Sequence, residues 1–263
     1  MLALGNKLSL PTIKVSKPAI AQYGDLALHY DISGSRTTSN DYDDGDEIAL
    51  LHNYGSAGGN TMSNDHNARA TVGQQGLWQK PQASTMGKPS VKLDGSNDFY
   101  VLDNNYVTST GDFTVAVSFR IHTVNGDAVI SGDTGGLNRV HVYANSLLLR
   151  FNGNGSTNAG IQIFHNNTDN STVSYSIGTD IEVLVIRMDS SNNIYVYNKD
   201  GDFISYYPAD TKTDQPLQIG TIGMQLPSAS AYGGWIGEIG VYTTDIGETA
   251  AKAVAQALYA KWS

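Results

Sequence analysis

The sequence predicts an all-β fold: a two-sheet antiparallel sandwich with one C-terminal helix and an extended N-terminal arm. Three observations carry that prediction. Residues 113–121, Phe-Thr-Val-Ala-Val-Ser-Phe-Arg-Ile, place Phe113, Val115, Val117, Phe119 and Ile121 on one face of an extended strand and smaller or polar side chains on the other. Short strand-like runs then recur with turn residues between them, which suits antiparallel meanders and not βαβ units. Helical spacing is convincing only at the end of the chain, where Ile246, Ala250, Val254, Ala257, Leu258 and Trp262 fall on one stripe.

A sandwich of 263 residues commonly forms one unit, so the expected division is an arm, 1–22, and a single domain, 23–263. The arm contains Lys7, Lys14 and Lys17 and no acidic residue, while Pro11 and Pro18 keep it from forming a continuous helix or a central strand. With Leu2 and Leu4 as apolar contacts, it reads either as an edge strand on its own domain or as an assembly arm that docks on a neighbouring subunit. The net charge of −9 argues against nucleic-acid binding and against anionic membranes. The absence of cysteine excludes disulfides and thiolate chemistry. Neither a signal peptide nor a run of apolar residues long enough to span a membrane is legible, so a soluble protein made in a cytoplasm is expected, with the sequons at Asn154, Asn166 and Asn170 serving as turns.

Taken in order, residues 26–32 are strand-like, and a polar insertion follows that ends in Asp-Tyr-Asp-Asp-Gly-Asp-Glu at 41–47. Asp41, Asp43, Asp44 and Asp46 could ligate calcium, but the EF-hand spacing fails, because glycine is not at the sixth position and no Glu stands at the twelfth. After a strand at 48–51, residues 53–88 are rich in turn residues and read as a surface loop, with Trp78 as a packing anchor. Strands are then predicted at 91–93, 99–102, 113–121, 128–131, 139–143, 147–151, 161–164, 173–177, 181–188, 194–197, 203–206, 217–219 and 235–242. The run 181–188 is apolar on both faces and therefore central, and Asn198-Lys-Asp-Gly201 is a hairpin turn. Asp245 and Glu248 have the spacing of a reciprocal cap for the helix.

The order of these pieces is familiar. Leu-Ala-Leu-His-Tyr-Asp-Ile-Ser, Asp-Gly-Asp-Glu-Ile, a Gly/Asn-rich loop, Val-Lys-Leu-Asp-Gly-Ser-Asn-Asp-Phe-Tyr-Val-Leu, the alternating strand at 113–121 and Gly-Gly-Trp-Ile-Gly-Glu-Ile-Gly-Val-Tyr with its helix follow one another. This resembles the concanavalin A-like lectin/glucanase superfamily in its laminin-G-like jelly-roll branch, over residues 25–263. The opening Met-Leu-Ala-Leu-Gly-Asn-Lys-Leu is similar to the start of tailed-phage virion proteins. The glucanases of the superfamily carry Glu-x-Asp-x-x-Glu on a strand, whereas Glu238 here is followed on its own face by Gly240 and Tyr242. Glu238 is therefore expected to be structural and the protein not to be an enzyme.

A binding face is the remaining candidate. Arg139, His141 and Tyr143 share one face of their strand, and Tyr195 and Tyr197 share one face of theirs, a composition that suits either a sugar or a protein interface. The expected function is a non-enzymatic phage virion structural protein, a capsid decoration or fibre-like subunit that forms a homo-oligomer and is anchored by its arm to partners such as the major capsid protein. The alternative is a carbohydrate-binding module that attaches to a surface glycan. Expected cofactors are none, apart from the calcium considered at the acidic loop.

Overall fold

The computed structural model describes residues 19–33, 42–56, 66–82, 84–107, 112–122, 128–131, 147–152, 159–165, 168–207, 218–225 and 230–263. A short 3-10 turn at Ala19–Gln22 opens the described chain. The strands follow as β1 (Leu26–Asp31), β2 (Glu47–Ile48), β3 (Leu50–Leu51), β4 (Ala68–Arg69), β5 (Gly76–Gln79), β6 (Ser90–Asp94), β7 (Tyr100–Val107), β8 (Phe113–Ile121), β9 (Ala128–Ser131) and β10 (Leu147–Asn152). They continue as β11 (Ala159–His165), β12 (Thr168–Ile177), β13 (Glu182–Met188), β14 (Ile194–Tyr197), β15 (Phe203–Tyr207), β16 (Gln218–Ile222), β17 (Met224–Gln225), β18 (Ser230–Ala231) and β19 (Gly233–Tyr242), and helix α1 (Gly247–Trp262) closes the chain. Among the described residues the first sheet runs β15-β14-β13-β8-β19-β6-β5-β2, with β1 also paired to β19. The second runs β12-β11-β10-β9-β16-β7-β4-β3, with β17 and β18 attached at β9. Two antiparallel sheets and a C-terminal helix are the sandwich that the strand pattern predicts.

β8 is the alternating strand predicted at 113–121. It lies between β13 and β19, and Phe113, Val115, Val117 and Phe119 are all buried, as expected of the face between the sheets. Each such side chain contributes about 1.5–3 kcal/mol by leaving water. β13 is buried at every position, because the second sheet covers one face and α1 covers the other.

Facing residues define parallel rows on the outer face of the first sheet. One row runs Leu26, Tyr242, Thr114, Arg187, Tyr195, Tyr206 from β1 to β15. The next runs His29, Gly240, Ala116, Val185, Tyr197, Phe203, and a third runs Asp31, Glu238, Ser118, Val183. The middle of these rows is small or β-branched, and there α1 lies down with Ala251, Val254, Ala255, Leu258 and Trp262 buried. A β-bulge between Ile236 and Glu238 inserts Gly237, which puts Glu238 on this outer face. A Cβ at Gly237 would stand 2.6 Å from the Trp262 ring, so the glycine lets the helix approach.

Several expectations are corrected. The predicted strand at 48–51 is two strands in different sheets, β2 pairing with β5 and β3 with β4, so the chain crosses between the layers at Ala49. The passage 53–88 is not wholly loop: it supplies β4 and β5, and Trp78 is buried in β5 as an anchor of the core. Asp245 does not form the reciprocal cap. Ile246 holds the cap position without a side-chain bond, Asp245 accepts the Gly247 N–H at 2.9 Å, and Glu248 pairs instead with Lys252 at 2.6 Å. Ala251 and Ala255, not Ala250 and Ala257, complete the buried stripe, because the face of α1 that meets the sheet is rotated toward them. Asn170 is in strand β12 and not in a turn, whereas Asn154 and Asn166 lie outside the described residues. Ile20 is 1 % exposed and its carbonyl accepts the Tyr242 hydroxyl at 2.8 Å, so the core begins before residue 23. Arm residues Leu2, Leu4, Lys7, Lys14 and Lys17 lie outside the described residues.

Candidate functional site

The open end of the outer face is a strip of aromatic rings on β14 and the edge strand β15. The hairpin turn fixes its register: Asn198 Oδ1 accepts the N–H groups of Asp200 and Asp202, Gly201 takes φ +80°, and Tyr206 is thereby set opposite Tyr195 and Phe203 opposite Tyr197. The Tyr195 and Tyr206 rings are 5.2 Å apart at 48°, and those of Tyr197 and Phe203 are 6.0 Å apart at 62°. Phe203 and Tyr206 are 52 % and 46 % exposed, which is unusual for side chains of this size.

Arg187 anchors the inner edge of the strip. Its guanidinium carbon stands 4.0 Å from the centre of the Tyr195 ring, Nη1 donates to Asp245 Oδ2 at 2.6 Å and Nε donates to the Tyr197 hydroxyl at 3.2 Å. Burial works against the Arg187 charge, but the hydrogen bonds to Tyr197 and Asp245 outweigh it and hold its pKa above the ordinary value. The loop after β13 supplies the polar rim. Asp189 Oδ1 accepts the N–H groups of Ser191 and Asn193, Asp189 Oδ2 accepts the Tyr195 hydroxyl at 3.0 Å, and the Tyr206 hydroxyl donates to Asn193 Oδ1 at 3.0 Å. Although partial burial raises the Asp189 carboxyl, the bonds from Asn193 and Tyr195 overcome it and bring its pKa below the usual carboxylate value, so it is ionised at neutral pH. The result is a rigid surface of ring faces beside planar polar groups.

Of the residues picked from sequence for binding, Tyr195 belongs to this strip and is partly exposed, whereas Tyr197 is buried under Arg187 and its hydroxyl is occupied. Arg139, His141 and Tyr143 lie outside the described residues. Phe203, Tyr206, Arg187, Asp189 and Asn193 were not expected. The signal was available for Tyr206, because counting back from the Asp-Gly turn places it opposite Tyr195.

The other end of the outer face carries a buried charged cluster. Glu238 Oε1 accepts from His29 Nε2 at 2.7 Å, and Oε2 accepts from Lys261 Nζ at 2.7 Å and from Trp262 Nε1 at 3.0 Å. Lys261 also donates to Asp31 Oδ2 at 2.7 Å, and Asp31 Oδ1 accepts from the Ser33 N–H and hydroxyl. Burial would raise the Glu238 carboxyl, but the His29 hydrogen bond and the Lys261 ammonium prevail and hold its pKa below the ordinary value. Both Glu238 oxygens are thus committed to holding the last turn of α1 on the sheet, the structural role expected of it.

His29, Asp31 and Glu238 are the one set among the described residues whose metal-ligating atoms converge, all within 4.8 Å of one another. The Lys261 ammonium already bridges the two carboxylates, so this set does not fit a metal ion. In the acidic loop, Asp41 lies outside the described residues. Asp44 accepts the Lys80 N–H, Asp46 accepts the Asp43 N–H, and Asp43 faces the Lys80 ammonium at 3.5 Å, which builds a turn and does not gather these carboxylates around one point.

No protein-family model matches the sequence, and no curated protein matches it. Solved structures do match in fold. Domain 4 of AbnA, an extracellular GH43 arabinanase from Geobacillus stearothermophilus in complex with arabinotriose, shares 12 % identity at a TM-score of 0.55, covering 89 % of this chain and 99 % of that one. A GH54 α-L-arabinofuranosidase soaked with a cyclic sulfate inhibitor gives a TM-score of 0.64 at 8 % identity, over 94 % of this chain and 65 % of that one. The ligand-binding domain of botulinum neurotoxin serotype D in complex with N-acetylneuraminic acid gives 0.55 at 14 % identity, over 90 % and 52 %. The chain is thus similar in fold to these three proteins.

Proposed function

We propose that the protein is a non-catalytic glycan-binding module that holds its ligand on the Tyr195–Tyr206–Phe203 strip. The carrying observation is the pair of large rings left open on an ordered edge strand, with their neighbours pinned by Arg187, Asp189 and Asn193. A sugar ring has an apolar C–H face and a polar rim, and exposed aromatic rings bordered by carboxylate and amide groups complement both. The arabinotriose and N-acetylneuraminic acid complexes of the similar folds support the same class of ligand. A binding role, not hydrolysis, is supported by Glu238, whose oxygens are both buried in the helix clasp. Display on a virion rests on the opening residues, which lie outside the described part, so glycan binding takes precedence. A glycan array probed with the whole chain tests the reading: specific retention of at least one oligosaccharide class is expected, and no retention on any sugar would remove it.

A further inference from the structure

The geometry points to a ligand that meets the aromatic strip as a hydrogen-bond donor: an uncharged, hydroxyl-rich glycan, in preference to glycans that carry sialic acid, uronic acid or sulfate. The assignment rests on the reading of the strip as a glycan site and names the class that such a site takes. It follows from the direction of the hydrogen bonds around the open rings and from the pairing of the charges near them.

The direction of the bonds is set at Asp189. Its carboxylate is ionised at neutral pH, and an ionised carboxylate only accepts. The Tyr195 hydroxyl, 3.0 Å from Oδ2, therefore donates its proton there. Asn193 Nδ2 lies 3.2 Å from each Asp189 oxygen, so the nitrogen of that amide is turned to the carboxylate, and its oxygen stands 3.0 Å from the Tyr206 hydroxyl. An amide oxygen also only accepts, and Tyr206 donates to it. One carboxylate thus fixes the polarity of the rim: both phenols donate inward, and what each has left is an oxygen with lone pairs. Sugar hydroxyls donate to such oxygens. A carboxylate or sulfate brings only acceptors and would stand acceptor against acceptor.

Charge works in the same direction. Residues 182–207, which supply β13, β14, β15 and the turns between them, contain four acidic and two basic side chains. Both cations are already paired, Arg187 with Asp245 at 2.6 Å and Lys199 with Glu182 at 3.2 Å, and Arg187 is only 8 % exposed beside the Tyr195 ring. Lys252 on α1 is paired as well, with Glu248 at 2.6 Å. Asp189, Asp200 and Asp202 have no salt-bridge partner among the described residues, so an anion nearing the rings meets carboxylates that these cations do not offset.

The test is a glycan array probed with the whole chain, on which each neutral oligosaccharide stands beside its acidic derivatives, such as N-acetyllactosamine beside its sialylated and sulfated forms and xylotetraose beside its glucuronyl-substituted form. Neutral members are expected to be retained, and their acidic derivatives to bind about tenfold or more weakly at low salt, with the gap narrowing at about 1 M salt, where screening shortens to about 3 Å. Asp189→Asn keeps the shape, removes the charge and lets the rim donate, so it should narrow the neutral-to-acidic ratio to about threefold or less, whereas loss of a merely structural contact would weaken both members of a pair alike. The ratio measured on the parent stands by itself if that variant does not fold. Acidic derivatives retained as tightly as their neutral parents, or an unchanged ratio in folded Asp189→Asn, would overturn the inference and leave glycan binding standing. Retention of no glycan at all would remove both.

Discussion

The two edges of one sheet face put similar resources to opposite uses. At the β1/β19 edge, His29, Asp31, Glu238, Lys261 and Trp262 turn every polar group inward and are covered by the last turn of α1. At the β14/β15 edge, Arg187, Asp189 and Asn193 hold Tyr195 and Tyr206 by their hydroxyls and faces, and the rings remain open. Both are built from an ion pair to a segment flanking or ending the helix, Lys261 with Glu238 in one case and Arg187 with Asp245 in the other. The difference is cover: polar groups that a helix seals can only stabilise, while rings that the same helix leaves uncovered are available to a ligand.

Four outcomes would sharpen or break this contrast. The largest effect is expected at the sealed edge, where Glu238→Ala strands His29, Lys261 and Trp262 without their acceptor and should destabilise by about 3–5 kcal/mol in urea unfolding. A loss below about 1 kcal/mol would mean that the cluster is not the clasp of α1. Next, Gly237→Ala places a Cβ against the Trp262 ring and should cost about 1–3 kcal/mol through overpacking, with tryptophan fluorescence reporting the displaced ring.

The sealed edge should also show in the pH profile. The Glu238 pKa is depressed in the folded protein, so its contribution is present above the ordinary glutamate value and is lost as pH falls through the depressed one. Glu238→Gln should therefore be less stable than the parent at neutral pH, and the gap should close in acid; a gap independent of pH would refute the ionised role. The smallest stability effect is expected at the open edge, where Tyr206→Ala should change unfolding free energy by no more than about 0.5–1 kcal/mol, since the ring is nearly half exposed.

Much of the fold was legible because burial follows alternation. The strand at 113–121 is β8 to the residue, and the runs 128–131 and 194–197 match β9 and β14. Legibility failed where strands are very short: β2 and β3 have two residues each, too few for a period, and their assignment to different sheets depends on partners far away in the chain. The helix was visible in its spacing, but its buried stripe depends on where the sheet leaves room for it, as Gly237 does beneath the Trp262 ring. The structural role of Glu238 was expected from its missing partner acids, yet Lys261 and His29, which satisfy it, are 23 and 209 residues away. Tyr195 was picked for its alternation. Tyr206 and Arg187 were not, because their importance arises from a three-strand row that only pairing reveals.

The most direct measurement is isothermal titration of the oligosaccharide retained on the array into the parent and into Tyr206→Ala. A loss of tenfold or more in affinity, with the melting temperature little changed, is predicted for an open ring that binds by stacking. Equal affinity in the two proteins would contradict glycan binding on the aromatic strip.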